Sequence, residues 1–141
     1  MVSAALRHAR DAEVLATNGS PGRSLDQAYH LAGFGPECAR KATLALRTLD
    51  KTIGHRFDDG ADDVLDLAEA LDPLCHRYRP RDWTTRWPSL AGWSEQVRYD
   101  RTGTHDEAKV LRLVGEARDA VDAVVLALWA DGRLPPMDGS W

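Results

Sequence analysis

The chain predicts an all-α fold, an antiparallel four-helix bundle, on three observations. Four segments repeat apolar residues at three-four spacing, their ends carry cap or stop signals, and no stretch alternates polar and apolar residues as a half-buried strand would. At 141 residues the sequence matches one domain, 1–141, long enough to bury a core without a metal or disulfide staple. Hydrophobic residues at 43% and charged residues at 28% exclude the low-hydrophobicity signature of a disordered chain.

The first predicted helix runs from Val2 to Ala16, with Val2, Leu6, Ala9, Ala12 and Ala16 on one stripe, and stops before the loop Asn18-Gly19-Ser20-Pro21-Gly22. In the second, Ala28, Leu31, Ala32, Gly35, Ala39, Ala42, Leu46, Leu49 and Ile53 keep helical spacing. Ser24-Leu25-Asp26-Gln27 is a capping box at its start and Gly54 its stop. Pro36 lacks the N–H that would bond the carbonyl of Ala32, so a bend or break is expected between Gly33 and Pro36. The third helix is expected over Asp62 to Tyr78, after the polar loop Asp58-Asp59-Gly60, with Val64, Leu67, Ala68, Leu71, Leu74, Cys75 and Tyr78 on one side. The fourth opens on a second capping box, Thr104-His105-Asp106-Glu107. It presents Leu111, Val114, Arg118, Val121, Val125, Leu128 and Trp129, and stops at Gly132 before Pro135 and Pro136.

Between the third and fourth helices lies a long Arg- and Trp-rich connection. Arg77, Arg79, Arg81, Arg86, Arg98 and Arg101 face only Asp82, Glu95 and Asp100, interleaved with Tyr78, Trp83, Trp87, Trp93 and Tyr99. Guanidinium groups beside aromatic rings suit phosphate contact with base stacking. The competing role is structural: tryptophans in a connection fold back over the end of the bundle and bury large area. The net charge of -4 offers phosphate no attraction from the molecule as a whole, so a nucleic-acid contact has to come from this local patch.

Cys38 and Cys75 form neither a disulfide framework nor a spaced metal motif and read as small hydrophobes within helices. Arg7, His8, Arg10, Asp11 and Glu13 interrupt any signal-peptide core, and the longest apolar run, Ala123 to Ala130, is too short to span a bilayer. A cytoplasmic protein without a membrane anchor is expected.

Leu25-Asp26-Gln27-Ala28-Tyr29-His30-Leu31-Ala32-Gly33-Phe34, followed by Glu37-Cys38-Ala39-Arg40-Lys41-Ala42, resembles the second-helix pattern of HEPN domains. Val97-Arg98-Tyr99-Asp100, a turn, and a helix opening Asp106-Glu107-Ala108 resemble the same family's entry into its last helix. Pro36 departs from the family pattern. The resemblance implies one of two activities. Many members are metal-independent ribonucleases of toxin or defence type, in which an arginine and a histidine a few residues later meet across a homodimer; others are nucleotide- or partner-binding modules, such as the helical partner of a nucleotidyltransferase. It implies no cofactor and no metal.

On that pattern Arg98 and His105 are the candidate catalytic pair. Imidazole exchanges protons with a ribose hydroxyl and a leaving oxygen, while guanidinium stabilises charge on phosphate. Arg23 and His30 meet the same spacing across a helix cap. Arg77, Arg79, Arg81, Arg86, Arg101, Trp83, Trp87, Trp93 and Tyr99 are candidate contacts to RNA or a nucleotide. His30 and Glu37, seven apart on one helix face, are secondary candidates for proton transfer or metal binding, against the simpler role of a core histidine bonded to an acid. No Walker loop, dinucleotide fingerprint or His-Glu-x-x-His string is present. A third class, a small-molecule enzyme or pocket protein with the aromatic connection as a lid, stays open.

Overall fold

A computed structural model describes residues 1–44, 54, 55, 57, 62–78 and 83–134, with the side chains of 62–65 left aside. The described residues are mostly helical and contain no strand: α1 (Val2–Ala16), α2 (Leu25–Ala42), α3 (Asp62–Leu71), the short α4 (Trp83–Arg86) and α5 (Glu107–Ala130). Three 3-10 turns, Pro73–Tyr78, Pro88–Gly92 and Glu95–Tyr99, fill the stretch between α3 and α5. The second-helix positions Leu46, Leu49 and Ile53, the loop Asp58-Asp59-Gly60, Arg79, Arg81, Asp82, Pro135 and Pro136 lie outside the described residues. Among the described residues no helix is long and apolar enough to cross a membrane.

Three long helices make the core. α1 buries a row of small side chains, Ala5, Ala9, Ala12 and Ala16, against Ala28, Ala32 and Ala39 of α2. The seam is narrow because a Cβ on Gly35 would lie 3.3 Å from the carbonyl of Ala5 and 3.2 Å from Val121. Gly35 therefore sits where α1, α2 and α5 converge. The Ser24 amide donates to the carbonyl of Leu15 at 3.0 Å, so the chain reverses tightly and α2 runs antiparallel to α1. Arg23 pairs with Glu107 at 2.6 Å while Gly35 meets Val121, which sets α5 parallel to α2.

The caps form with one change. Ser24 accepts the amide of Gln27 at 3.4 Å, as its capping box predicts. At α5 the cap is Asp106, which accepts the amide of Lys109 at 2.9 Å, whereas the Thr104 hydroxyl donates to the carbonyl of Arg101 at 2.6 Å. His105 thus precedes the cap rather than opening the helix.

Three further expectations are corrected. Of the expected bend or break at Pro36, the break does not occur: α2 is one helix over Leu25–Ala42, where Ala32, Gly33, Gly35 and Pro36 are all buried and that packing outweighs one lost backbone bond. The third helix does not reach Tyr78. It ends at Leu71, Asp72 accepts the amide of Leu74 at 3.1 Å, and the chain continues from Pro73 as a 3-10 turn that leaves Leu67, Leu71 and Leu74 about half exposed. On α5 the buried face is Val110, Leu113, Val114, Ala117, Ala120, Val121, Val124, Val125 and Leu128, so Leu111 and Trp129 lie outside it. The stop at Gly132 holds, with φ of 68° that glycine adopts without strain.

Candidate functional site

His30, Phe34, Glu37 and Lys41 follow one another at helical spacing along one face of α2, and Phe34 is the centre around which other elements gather. Its ring lies 5.0 Å from His30, 5.7 Å from His8 of α1, 6.2 Å from His55 and 5.0 Å from Trp93, measured between centroids. Three imidazoles from three segments thus share one aromatic neighbour. Trp93 fixes the connection to α2: its indole N–H donates to the backbone carbonyl of His30 at 3.1 Å, and its ring fills the space beside Gly33.

Glu37 is the anchor of the polar side. Its carboxylate is buried, accepting Nζ of Lys41 at 2.8 Å on one oxygen and Nδ1 of His55 at 2.8 Å on the other. A carboxylate so placed favours the Nδ1–H tautomer of His55. His30 is different. Its Nε2 is buried with no hydrogen-bond partner, and burial first, then the charges of Arg98 and His8, holds its pKa below the ordinary histidine value. Its neutral, proton-accepting form is therefore the favoured one. His8 is also held low, by burial and then by Arg7. Glu95 is kept acidic chiefly by the side chain of Gln96 and by its own backbone, with smaller help from His55 and Arg98. Burial pushes the Cys38 thiol up, which makes it a poor nucleophile.

Arg98 is exposed on the turn Glu95–Tyr99, with its guanidinium over the Tyr99 ring at 4.9 Å and its charge felt by His30. His105 occupies a different setting. It is only 6% exposed, stacks on Tyr29 at 3.8 Å and 12°, and holds Asp100 through Nε2 at 3.1 Å. Asp26 accepts the amides of Gly103 at 2.7 Å and His105 at 3.4 Å, which ties the start of α2 to the entry of α5. His105 is thus a buried residue of that junction and not an exposed one.

The tryptophans of the connection are core residues. Trp83, Trp87 and Trp93 are 3–5% exposed, Trp83 stacking on Phe57 at 6.0 Å and meeting Trp87 at 4.9 Å. Arg77 pairs with Asp131 at 2.9 Å, Arg86 covers Trp87 at 4.8 Å, and Arg101 is exposed. Tyr99, 72% exposed, is the aromatic of this connection that the fold leaves open.

Of these residues the sequence offers His30, Glu37 and Arg98 as candidates and gives no role to His8, His55 or Glu95. For His55 the only sequence signal is its position directly after the helix stop Gly54, which carries no chemistry. Among the described residues no three His, Cys, Asp or Glu side chains come together as metal ligands do. Comparison with family models, with curated proteins and with solved structures gives no match.

Proposed function

We propose that this protein is a HEPN-like, metal-independent endoribonuclease whose chemistry is gathered around Phe34. The observation that carries the reading is the pairing, around Phe34, of His30, a half-buried imidazole whose Nε2 has no hydrogen-bond partner, with His55, an imidazole aligned by a buried carboxylate. Arg98 keeps the role the sequence gave it. His30 takes the place of His105, whose ring is stacked and bonded into the junction between α2 and α5.

In this mechanism His30 removes the proton of a ribose 2′-hydroxyl as its oxygen bonds to the adjacent phosphorus. The bond from phosphorus to the 5′-oxygen breaks, and protonated His55 supplies the proton that the leaving oxygen takes up. The products are a 2′,3′-cyclic phosphate and a 5′-hydroxyl, with no water consumed. Arg98 and Lys41 offset the charge that builds on the phosphate oxygens. The antiparallel four-helix bundle and the homodimer that the resemblance implies belong to this proposal. The antiparallel α1 and α2 support the first, and the half-exposed Leu111, Leu126 and Trp129 of α5 support the second.

A second reading, a non-catalytic module for a protein partner such as a nucleotidyltransferase, draws on the exposed row Leu67, Leu71 and Leu74. Incubating the purified protein with RNA and a chelator separates the two. The ribonuclease yields fragments ending in 2′,3′-cyclic phosphate and fails on a 2′-deoxy linkage; an intact RNA pool after enzyme-like times rejects it and favours the binding module.

A further inference from the structure

Resting on the ribonuclease reading, we infer that Tyr99 is a base-stacking platform, and that the substrate is accordingly RNA with an unpaired base next to the phosphate held by Arg98. The fold sorts the aromatic rings of the connection without ambiguity. Tyr78, Trp83, Trp87 and Trp93 are at most 5% exposed, so a base could stack on any of them only if that ring left the core. Tyr99 is 72% exposed.

That exposure does not come from a loosely tethered loop. The turn Glu95–Tyr99 is bracketed by Trp93, bonded to His30, and by Asp100, bonded to His105. A large ring held open on a fixed turn is costly surface, which the fold meets with the exposed side chain of Arg98 rather than with core residues. The Arg98 guanidinium lies 4.9 Å from the ring centroid, and Arg101 is exposed two residues on. Ring and charges together form a surface that accepts one base and its flanking phosphates. A base paired within a duplex has its faces covered by its neighbours, so this platform selects single strands, loops or bulges.

The test measures binding apart from cleavage, using a fluorescent single-stranded 2′-deoxy oligonucleotide and the same strand in a duplex. The single strand binds wild type more tightly than the duplex, Tyr99→Ala weakens it by roughly tenfold, and Tyr99→Trp retains it. Equal binding by Tyr99→Ala and wild type, equal binding of single strand and duplex, or no binding at all each overturns the platform. Tyr99-dependent binding without RNA cleavage would sustain the platform and reject the ribonuclease. Cleavage with no dependence on Tyr99 would do the reverse.

Discussion

The indole of Trp93 occupies the space in which a side chain on Gly33 would have to stand. The same indole bonds the carbonyl of His30, so a glycine in the middle of α2 is what lets the connection dock beside the histidine. Gly33→Ala should cost about 1–3 kcal/mol by overpacking. Gly115, midway along α5 and with open space around it, should do the opposite: Gly115→Ala gains roughly 0.5–1 kcal/mol from helix propensity. Urea unfolding of the two variants should move the midpoint in opposite directions.

Truncating the buried rings is a stability experiment. Trp83→Ala or Trp87→Ala should each lower stability by about 3–5 kcal/mol, as removal of large buried aromatics does. Oligonucleotide affinity, measured below the unfolding transition, should hold. A selective loss of affinity with unchanged thermal midpoint would give these tryptophans a contact role instead.

The histidines divide by function. His30→Ala and His55→Ala should each lower the cleavage rate by roughly 10²–10⁴-fold, the usual scale for a lost proton carrier. Arg98→Ala should lower it by about 10²–10³-fold. His105→Ala should chiefly lose stability, about 2 kcal/mol, because it removes a buried stacked ring and leaves Asp100 without its partner. A folded His105→Ala protein with no activity would return the proton-carrier role to His105.

Acid should weaken the fold through His8 and His30. Both are held below the ordinary value of about 6.5, mainly by burial, so the folded state resists protons that the unfolded chain accepts. Above about pH 7.5 the imidazoles are essentially neutral in both states and add no pH dependence. As pH falls from there through the unfolded value of about 6.5 the unfolded chain binds more protons and stability drops, levelling off only once the folded imidazoles protonate. Urea midpoints should fall between about pH 7.5 and pH 5.5, and His30→Gln should flatten the slope. An unchanged slope in that variant would remove His30 as a source.

Helices and their starts were legible because their signals are local: Ser24 with Gln27 names its cap, and the alanines of α1 name its buried face. The stop at Pro73 was equally local but lost to a longer apolar pattern, since Leu67, Leu71 and Leu74 keep helical spacing without a surface to cover. His30 and Glu37 could be paired because one helix carries both. His55 could not, because only tertiary closure brings it to Glu37 across eighteen positions. The spacing of Arg98 and His105 linked two neighbours in sequence, yet nearness along the chain could not reveal that the arginine's charge is felt at α2 while His105 packs on Tyr29.

The short reversal between α1 and α2 sets an order in time. These two helices meet through contacts close in sequence, which cost little loop entropy and form early, whereas α5 must return across the whole stretch from Ala42 to Glu107. His8, His30 and Glu37 ride on the early hairpin. The charge of Arg98 acts on His30 only when the later chain folds back over it. On the ribonuclease reading, a nascent chain therefore has no complete site until the stretch that carries Arg98 has folded back over that hairpin.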